Sequence, residues 1–222
     1  MKRIAVIMCG CGSRDGSEIQ ESVTAMYAVM RHGLSYEVFA PNDDQYQVTN
    51  HLTGEVHPEK RNMLIEAARA ARAEKIHSLD KLNVKDFDGL LLPGGFGAAM
   101  NLFTFAIDGL DMSVRADVAK IIHEFHDARK PIGAMCIAPM MLAGTLQHCD
   151  LKITLGPESP MKDELRQKMG VYSVESPADQ PITDERNRVV TVPCYMWDKA
   201  TILNVGDGAY RLVGEMKRLM EN

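Results

Sequence analysis

Cys136 lies in the stretch PIGAMCIAPMML, where an apolar strand predicted over Ile132–Met135 hands over to a helix predicted from Ala138 to Leu146. A side chain on such a strand-to-helix turn projects above the edge of a sheet, as a nucleophile elbow does for serine. The small neighbours Gly133, Ala134 and Ala138 fit a tight bend. Backbone N–H groups opening the next helix favour negative charge, so the position predicts a lowered thiol pKa and a raised thiolate fraction. A free cysteine is equally at home as an inert core residue. The decision between the two rests on what other groups reach the bend.

Two further turns follow apolar strands, CGCGSRDG at 9–16 and PGGFGAA at 93–99. In a parallel sheet all strand C-termini share one edge, so the three turns are expected to converge there. Gly94 and Gly95 allow a backbone to approach a ligand closely. Their N–H groups, with that of Ile137, could hold an oxyanion. The acidic candidates are Glu18 and Glu21. Ser17 reads as the N-cap of the first helix, with Gln20 at the capping-box position, so acidic residues here also suit the helix dipole. A carboxyl buried near the thiol would have its pKa raised and could carry protons. Spacing does not choose between the two glutamates.

No histidine is placed beside Cys136. His123 and His126 flank the stripe of one helix, and His51 lies in the long loop after the second strand. A Cys–His–acid hydrolase therefore lacks its base. The five cysteines are scattered and include only a CxC, which supports neither zinc nor a disulfide framework; no metal and no cofactor are expected. GCGSRDG departs from the dinucleotide fingerprint, and Asp15 would oppose a phosphate.

Strand-length apolar runs alternate with helical periods, predicting an α/β fold with a mainly parallel, doubly covered sheet. The strands are Ile4–Met8, Tyr36–Ala40, Gly89–Leu92, Ile132–Met135, Leu151–Leu155 and Val189–Val192. Ile19, Val23, Met26, Tyr27 and Met30 form the main apolar stripe of the first helix, and Glu21, Ala25 and Ala28 a second, small-residue face. Val114, Val118, Ile121, Ile122 and Phe125 mark another helix. Others are predicted over 59–72, 161–169 and from Lys199 to the end. The stretch from Pro41 to His57, containing NHLTGE at 50–55, is non-periodic, and a loop of that length is more often functional than accidental. No linker divides residues 1–222, which read as one domain.

With 45% apolar and 25% charged residues and a net charge of −5, the chain reads as an ordinary globular protein without the basic surface that nucleic acid requires. The N-terminal apolar run is too short for a membrane span or signal peptide, so a cytoplasmic protein with no membrane partner is expected.

The combination of DGSEIQESV, FAP, NHLTGE, NMLIEAAR, LLPGGFGAAMNL, KPIGAMCIAP and VVTVPCYM, in this order over nearly the whole chain, resembles the ElbB (enhancing lycopene biosynthesis) branch of the PfpI-like, class I glutamine-amidotransferase-like superfamily. The resemblance implies a flavodoxin-like three-layer sandwich with Cys136 on the nucleophile elbow and the superfamily glutamate at Glu21. It also implies oxyanion donors at Gly95 and Ile137, and a homodimer, which the two-faced first helix suits. For activity it implies a cofactor-independent glyoxalase acting on a small reactive carbonyl, glyoxal or a related 2-oxoaldehyde. The same chemistry has been read as deglycase action. Protease-like relatives carry His directly after the nucleophile; here Ile137 stands there, which argues against peptidase chemistry. The alternative from another class is a redox or carbonyl sensor in which Cys136 is modified rather than turned over.

Overall fold

The computed structural model describes residues 1–159 and 161–221. In chain order the first half runs β1 (Arg3–Ile7), α1 (Ile19–Arg31), β2 (Ser35–Ala40), β3 (Val48–Thr49), β4 (Val56–His57), α2 (Met63–Ala71), β5 (Ile76–Ser78) and β6 (Gly89–Leu92). There follow α3 (Ala98–Asn101), α4 (Phe105–Asp108), α5 (Ala116–Asp127), β7 (Ile132–Met135), α6 (Pro139–Thr145), β8 (Lys152–Ile153) and α7 (Lys162–Met169). The chain closes with β9 (Tyr172–Ser173), β10 (Ile182–Asp184), β11 (Val189–Val192) and α8 (Ile202–Glu221).

Seven strands form one sheet in the order β10-β11-β7-β6-β1-β2-β5, parallel except for the β10 edge. The period-2 alternation of each strand divides the core in two. Ala5, Ile7, Leu90, Leu92, Ile132 and Val189 face the layer that holds α5 and α6. Ile4, Val6, Leu91, Val190 and Val192 face α1 and α8. This is the expected flavodoxin-like sandwich. The strand order reverses between β1 and β6, so the turns after these two strands flank the crevice where ligands bind in open α/β sheets.

Three expectations need correction. The segment around Leu151–Leu155 is not a strand of the main sheet. Only Lys152–Ile153 is extended, and it pairs with β9 in a separate two-stranded sheet. Side chains tie it to the main sheet: Lys152 N–H donates to Asp184 and Thr154 N–H to Thr191. Second, the apolar stripe of α1 faces outward: Ile19, Val23, Tyr27 and Met30 are all exposed, and only Met26 of the five is buried. The buried face is the small-residue one, with Glu21, Ser22, Ala25, Ala28 and Val29, because α8 packs along it and small side chains permit the close approach. Third, Ser17 is not the helix cap. It is fully buried and its hydroxyl accepts the Cys9 N–H at 2.9 Å.

The long loop after β2 also has more structure than its aperiodic sequence suggests. β3 and β4 pair antiparallel, Thr49 opposite Val56, and the 50–55 turn joins them. The edge strands β5 and β10, three residues each, are too short for a period to show in sequence.

The turns after β1 and β6 are in backbone contact. A Cβ at Gly97 would collide with the Gly16 nitrogen and the Asp15 carbonyl carbon, neither of which can rotate away. Gly97→Ala is therefore expected to lower stability by about 3 kcal/mol or more, read as a reduced urea midpoint at unchanged slope.

Candidate active site

Cys136 sits one residue beyond β7 and still belongs to the sheet through its backbone, since its N–H donates to Val192 O at 2.9 Å. Its φ of +58° lies in the left-handed region, uncommon for a residue with a side chain and a form of strain found at functional sites. Pro139 then opens α6, where a missing N–H costs nothing. This geometry turns the thiol to the α1 side of the sheet edge, where only 8% of the residue remains exposed.

Glu21 approaches from the first turn of α1. It is completely buried, and Oε2 accepts the Gly94 N–H at 3.0 Å. Among the described residues, Oε1 has no hydrogen-bond partner. Burial, and secondarily the charge of Glu18, push the Glu21 carboxyl up to about 8. The Cys136 thiol and the amides of Gly94 and Tyr195 act in the opposite direction without prevailing. Glu18 has a different job: as the N-cap of α1 its Oε2 accepts the Glu21 N–H at 2.6 Å, and it lines the cleft above the thiol. Packing thus separates two acids that spacing left equivalent.

Gly94 is required by crowding. A Cβ there would stand 2.6 Å from Cys136 Cβ and 2.8 Å from Glu21 Oε2, so glycine lets thiol and carboxyl meet across the turn. Gly95 has φ +111°, and its N–H, with that of Ile137, acts on the sulfur to favour its ionised form. The structure thus brings Cys136, Glu21, Gly94, Gly95 and Ile137 to one place.

One electrostatic expectation is overturned. The thiol pKa is raised well above 9, not lowered. Burial is the largest cause and the Glu21 carboxylate the next; the Gly95 and Ile137 amides oppose them and lose. The resting site is therefore a neutral thiol beside a carboxyl that holds its proton near pH 7, and one proton must leave before sulfur attacks.

His51 does not reach the sulfur's cleft. Its Nδ1 pairs with Thr49 O at 2.9 Å, and its Nε2 meets the Arg14 N–H at 3.2 Å and lies 3.7 Å from the Asp15 carboxylate. The glycine turn after β1 is also committed elsewhere: the N–H groups of Gly10, Gly12 and Gly16 donate to Met63, Ser17 and Gly12 carbonyls. They leave no cradle for a pyrophosphate. Among the described residues, no group of three His, Cys, Asp or Glu side chains could hold a metal.

Sequence reasoning missed Arg14, Phe96, Tyr195 and Met196, which line the cleft, and Cys194, which is buried beside it. Burial raises the Cys194 thiol, and the charges of Glu21 and Cys136 add to that. The available signal was the PCYM stretch, which leaves β11 at the same sheet edge as Cys136.

A parallel α/β sandwich with a cysteine on a strained elbow, a buried glutamate and two amide donors defines a class of cysteine-centred proteins. The chain belongs to the DJ-1/PfpI family, whose model matches residues 6–192, a family that includes glyoxalase and deglycase activity. Its relatives include the human glutamine amidotransferase-like class 1 domain-containing protein 3, mitochondrial, 36% identical over 98% of this chain and 83% of that one. The rat ES1 protein homolog, mitochondrial, is 35% identical over 98% of this chain and 84% of its own length. Among solved structures, an isoprenoid biosynthesis protein with an amidotransferase-like domain from Ehrlichia chaffeensis superposes with a TM-score of 0.91 at 34% identity, covering 99% of both chains. Drosophila melanogaster DJ-1beta, at 18% identity and a TM-score of 0.57, shares the fold.

Proposed function

We propose that the protein is a cofactor-independent glyoxalase, a slow, glutathione-independent hydro-lyase that converts glyoxal or related small 2-oxoaldehydes to 2-hydroxy acids. The observation that carries this reading is the fully buried Glu21 beside the Cys136 thiol, its Oε1 without a hydrogen-bond partner among the described residues. A buried oxygen left without a partner calls for an explanation, and a proton carrier supplies one.

In this reading Cys136 sulfur adds to one aldehyde carbon of glyoxal, and the oxygen that becomes negative is held by the Gly95 and Ile137 N–H groups. The adduct, once protonated, is a hemithioacetal. Glu21, as carboxylate, takes the proton from the carbon bound to sulfur, and the electron pair passes into an enediol. The proton that Glu21 took from the first carbon is delivered to the second, and the first carbon's hydroxyl proton passes to the second carbon's oxygen. The first carbon is thereby oxidised to a thioester and the second reduced to an alcohol, with no external oxidant. Water then attacks the thioester, releasing glycolate and the thiol.

Supplying millimolar glyoxal to purified protein and counting glycolate per chain tests the proposal. Many equivalents support turnover; one equivalent or fewer overturns it in favour of a modifiable thiol. A deglycase shares the hemithioacetal adduct and would be detected as release of the amine from a glyoxal-derived hemiaminal.

The exposed Ile19, Val23, Tyr27 and Met30 face of α1 supports a homodimer as part of this proposal. Val23→Glu with Tyr27→Glu is expected to halve the mass measured by light scattering; an unchanged mass would remove this face from any interface. No helix among the described residues is long and apolar enough to cross a membrane. A cytoplasmic location belongs to the proposal, since the human and rat relatives carry mitochondrial names.

A further inference from the structure

The cleft over Cys136 measures about 710 Å³, a volume suited to a ligand much larger than a two-carbon dialdehyde. Phe96, Ile137 and Met196 supply apolar wall, and Ser13, Gln47 and Thr49 polar wall. Arg14 is the one cationic side chain among the described residues that line it. Its guanidinium makes no hydrogen bond or ion pair among those residues; only its backbone N–H is engaged, with His51. Glu18, the acid of the same cleft, has no cation among the groups acting on its carboxyl.

The guanidinium is unpaired among the described residues and packs on the 50–55 turn. A Cβ on Gly54 would lie 3.2 Å from Arg14 Nη1 and 3.8 Å from Cζ, so the side chain rests against the backbone of the 50–55 turn. That turn is closed by Gly54 N–H to Asn50 O at 2.7 Å and Asn50 N–H to Glu55 O at 2.8 Å. Asn50 Oδ1 accepts the Leu52 and Thr53 N–H groups. Asp15, next to Arg14, is buried and accepts the Thr49 N–H at 2.8 Å, which pins the base of the hairpin to the β1 turn. The NHLTGE turn thus packs against a cation that lines the nucleophile's cleft.

We propose that Arg14, seated on this turn, recognises a carboxylate, and that the compound handled at Cys136 is a reactive carbonyl bearing that carboxylate away from the reacting carbon. The inference rests on Cys136 being the attacking atom. A planar guanidinium pairs with a carboxylate through two parallel N–H bonds. A single cation sharing its cleft with Glu18 suits a monoanion better than a phosphate dianion.

A matched pair of alkylating agents tests this without turnover. N-phenyliodoacetamide and 4-(iodoacetamido)benzoate present the same electrophilic carbon to sulfur, and iodide leaves in each case. Only the second carries a distant carboxylate. Rates are read at Cys136 by peptide mass spectrometry. The wild-type protein is expected to favour the anionic reagent by roughly ten-fold. Arg14→Gln should remove the preference, and Arg14→Lys should keep part of it. Gly54→Ala should weaken it, because a methyl group at φ +81° displaces the guanidinium. Both positions, Arg14 and Gly54, are at the exposed surface, so folding is not at stake. Equal rates in the wild type, or a preference that survives Arg14→Gln, overturn the proposal. Glyoxal turnover is scored separately: its absence alongside an intact preference would sink the glyoxalase reading and leave the carboxylate wall standing.

Discussion

Glu21→Gln is expected to make the protein more stable and far less active. Between its ordinary value of 4.5 and about 8 in the folded protein, Glu21 keeps a proton that the unfolded chain gives up. The folded state therefore binds one proton more across that window, and stability falls as pH rises through it, levelling off above about pH 8. At pH 7 the cost is about 3 kcal/mol. Glutamine keeps the shape and the acceptor for the Gly94 N–H but has no charge to suppress. A melting temperature higher by roughly 6–12 °C at pH 7 is expected, with the difference shrinking toward pH 4.5. Turnover of glyoxal should fall by about a hundred- to ten-thousand-fold, the range for a lost acid–base group. Calorimetry across pH 4.5–8.5, paired with a glycolate assay, measures both. An activity equal to wild type would remove Glu21 from the chemistry, and an unchanged melting curve would mean the carboxyl is not strained by burial.

Cys136→Ser should reduce turnover by at least about a thousand-fold, because a hydroxyl is a poorer nucleophile than a thiol and the elbow offers no histidine to activate it. Cys149→Ser, a half-buried thiol away from the cleft, should leave turnover intact. The pH profile of Cys136 alkylation separates the causes. In the wild type its rate should climb above pH 8, since burial and the Glu21 carboxylate hold the thiol protonated. In Glu21→Gln the like charge is gone, so the profile should move to lower pH while turnover falls. A thiol that ionises below neutrality in both proteins would contradict this account. Opposite movements of labelling and turnover are hard to obtain from a merely structural glutamate.

These outcomes depend on different layers of information. The alternation of apolar runs and helical periods made a doubly covered parallel sheet legible, because burial on both faces leaves short continuous apolar strands. Cys136, Gly94 and Gly95 stood out because small residues after such strands mark turns at one sheet edge. The outward stripe of α1 was misread because amphipathicity says that a face is apolar, not what covers it. The short strands β5 and β10 carry too few residues to show a period. Arg14 had no signal in one dimension, since its meaning comes from the turn forty residues later on which it rests.

By itself, the order of residues determined the layered fold and delivered a thiol, two glycines and a pair of acids to one end of the sheet. Spacing left the two acids equivalent and the family resemblance pointed to Glu21; the tertiary structure buries Glu21 against the sulfur, and it reversed the expected sign of the thiol's pKa shift. The reason is that backbone donors are local and readable from position, whereas desolvation and a like charge from α1 are long-range effects. Here the long-range pair is the stronger.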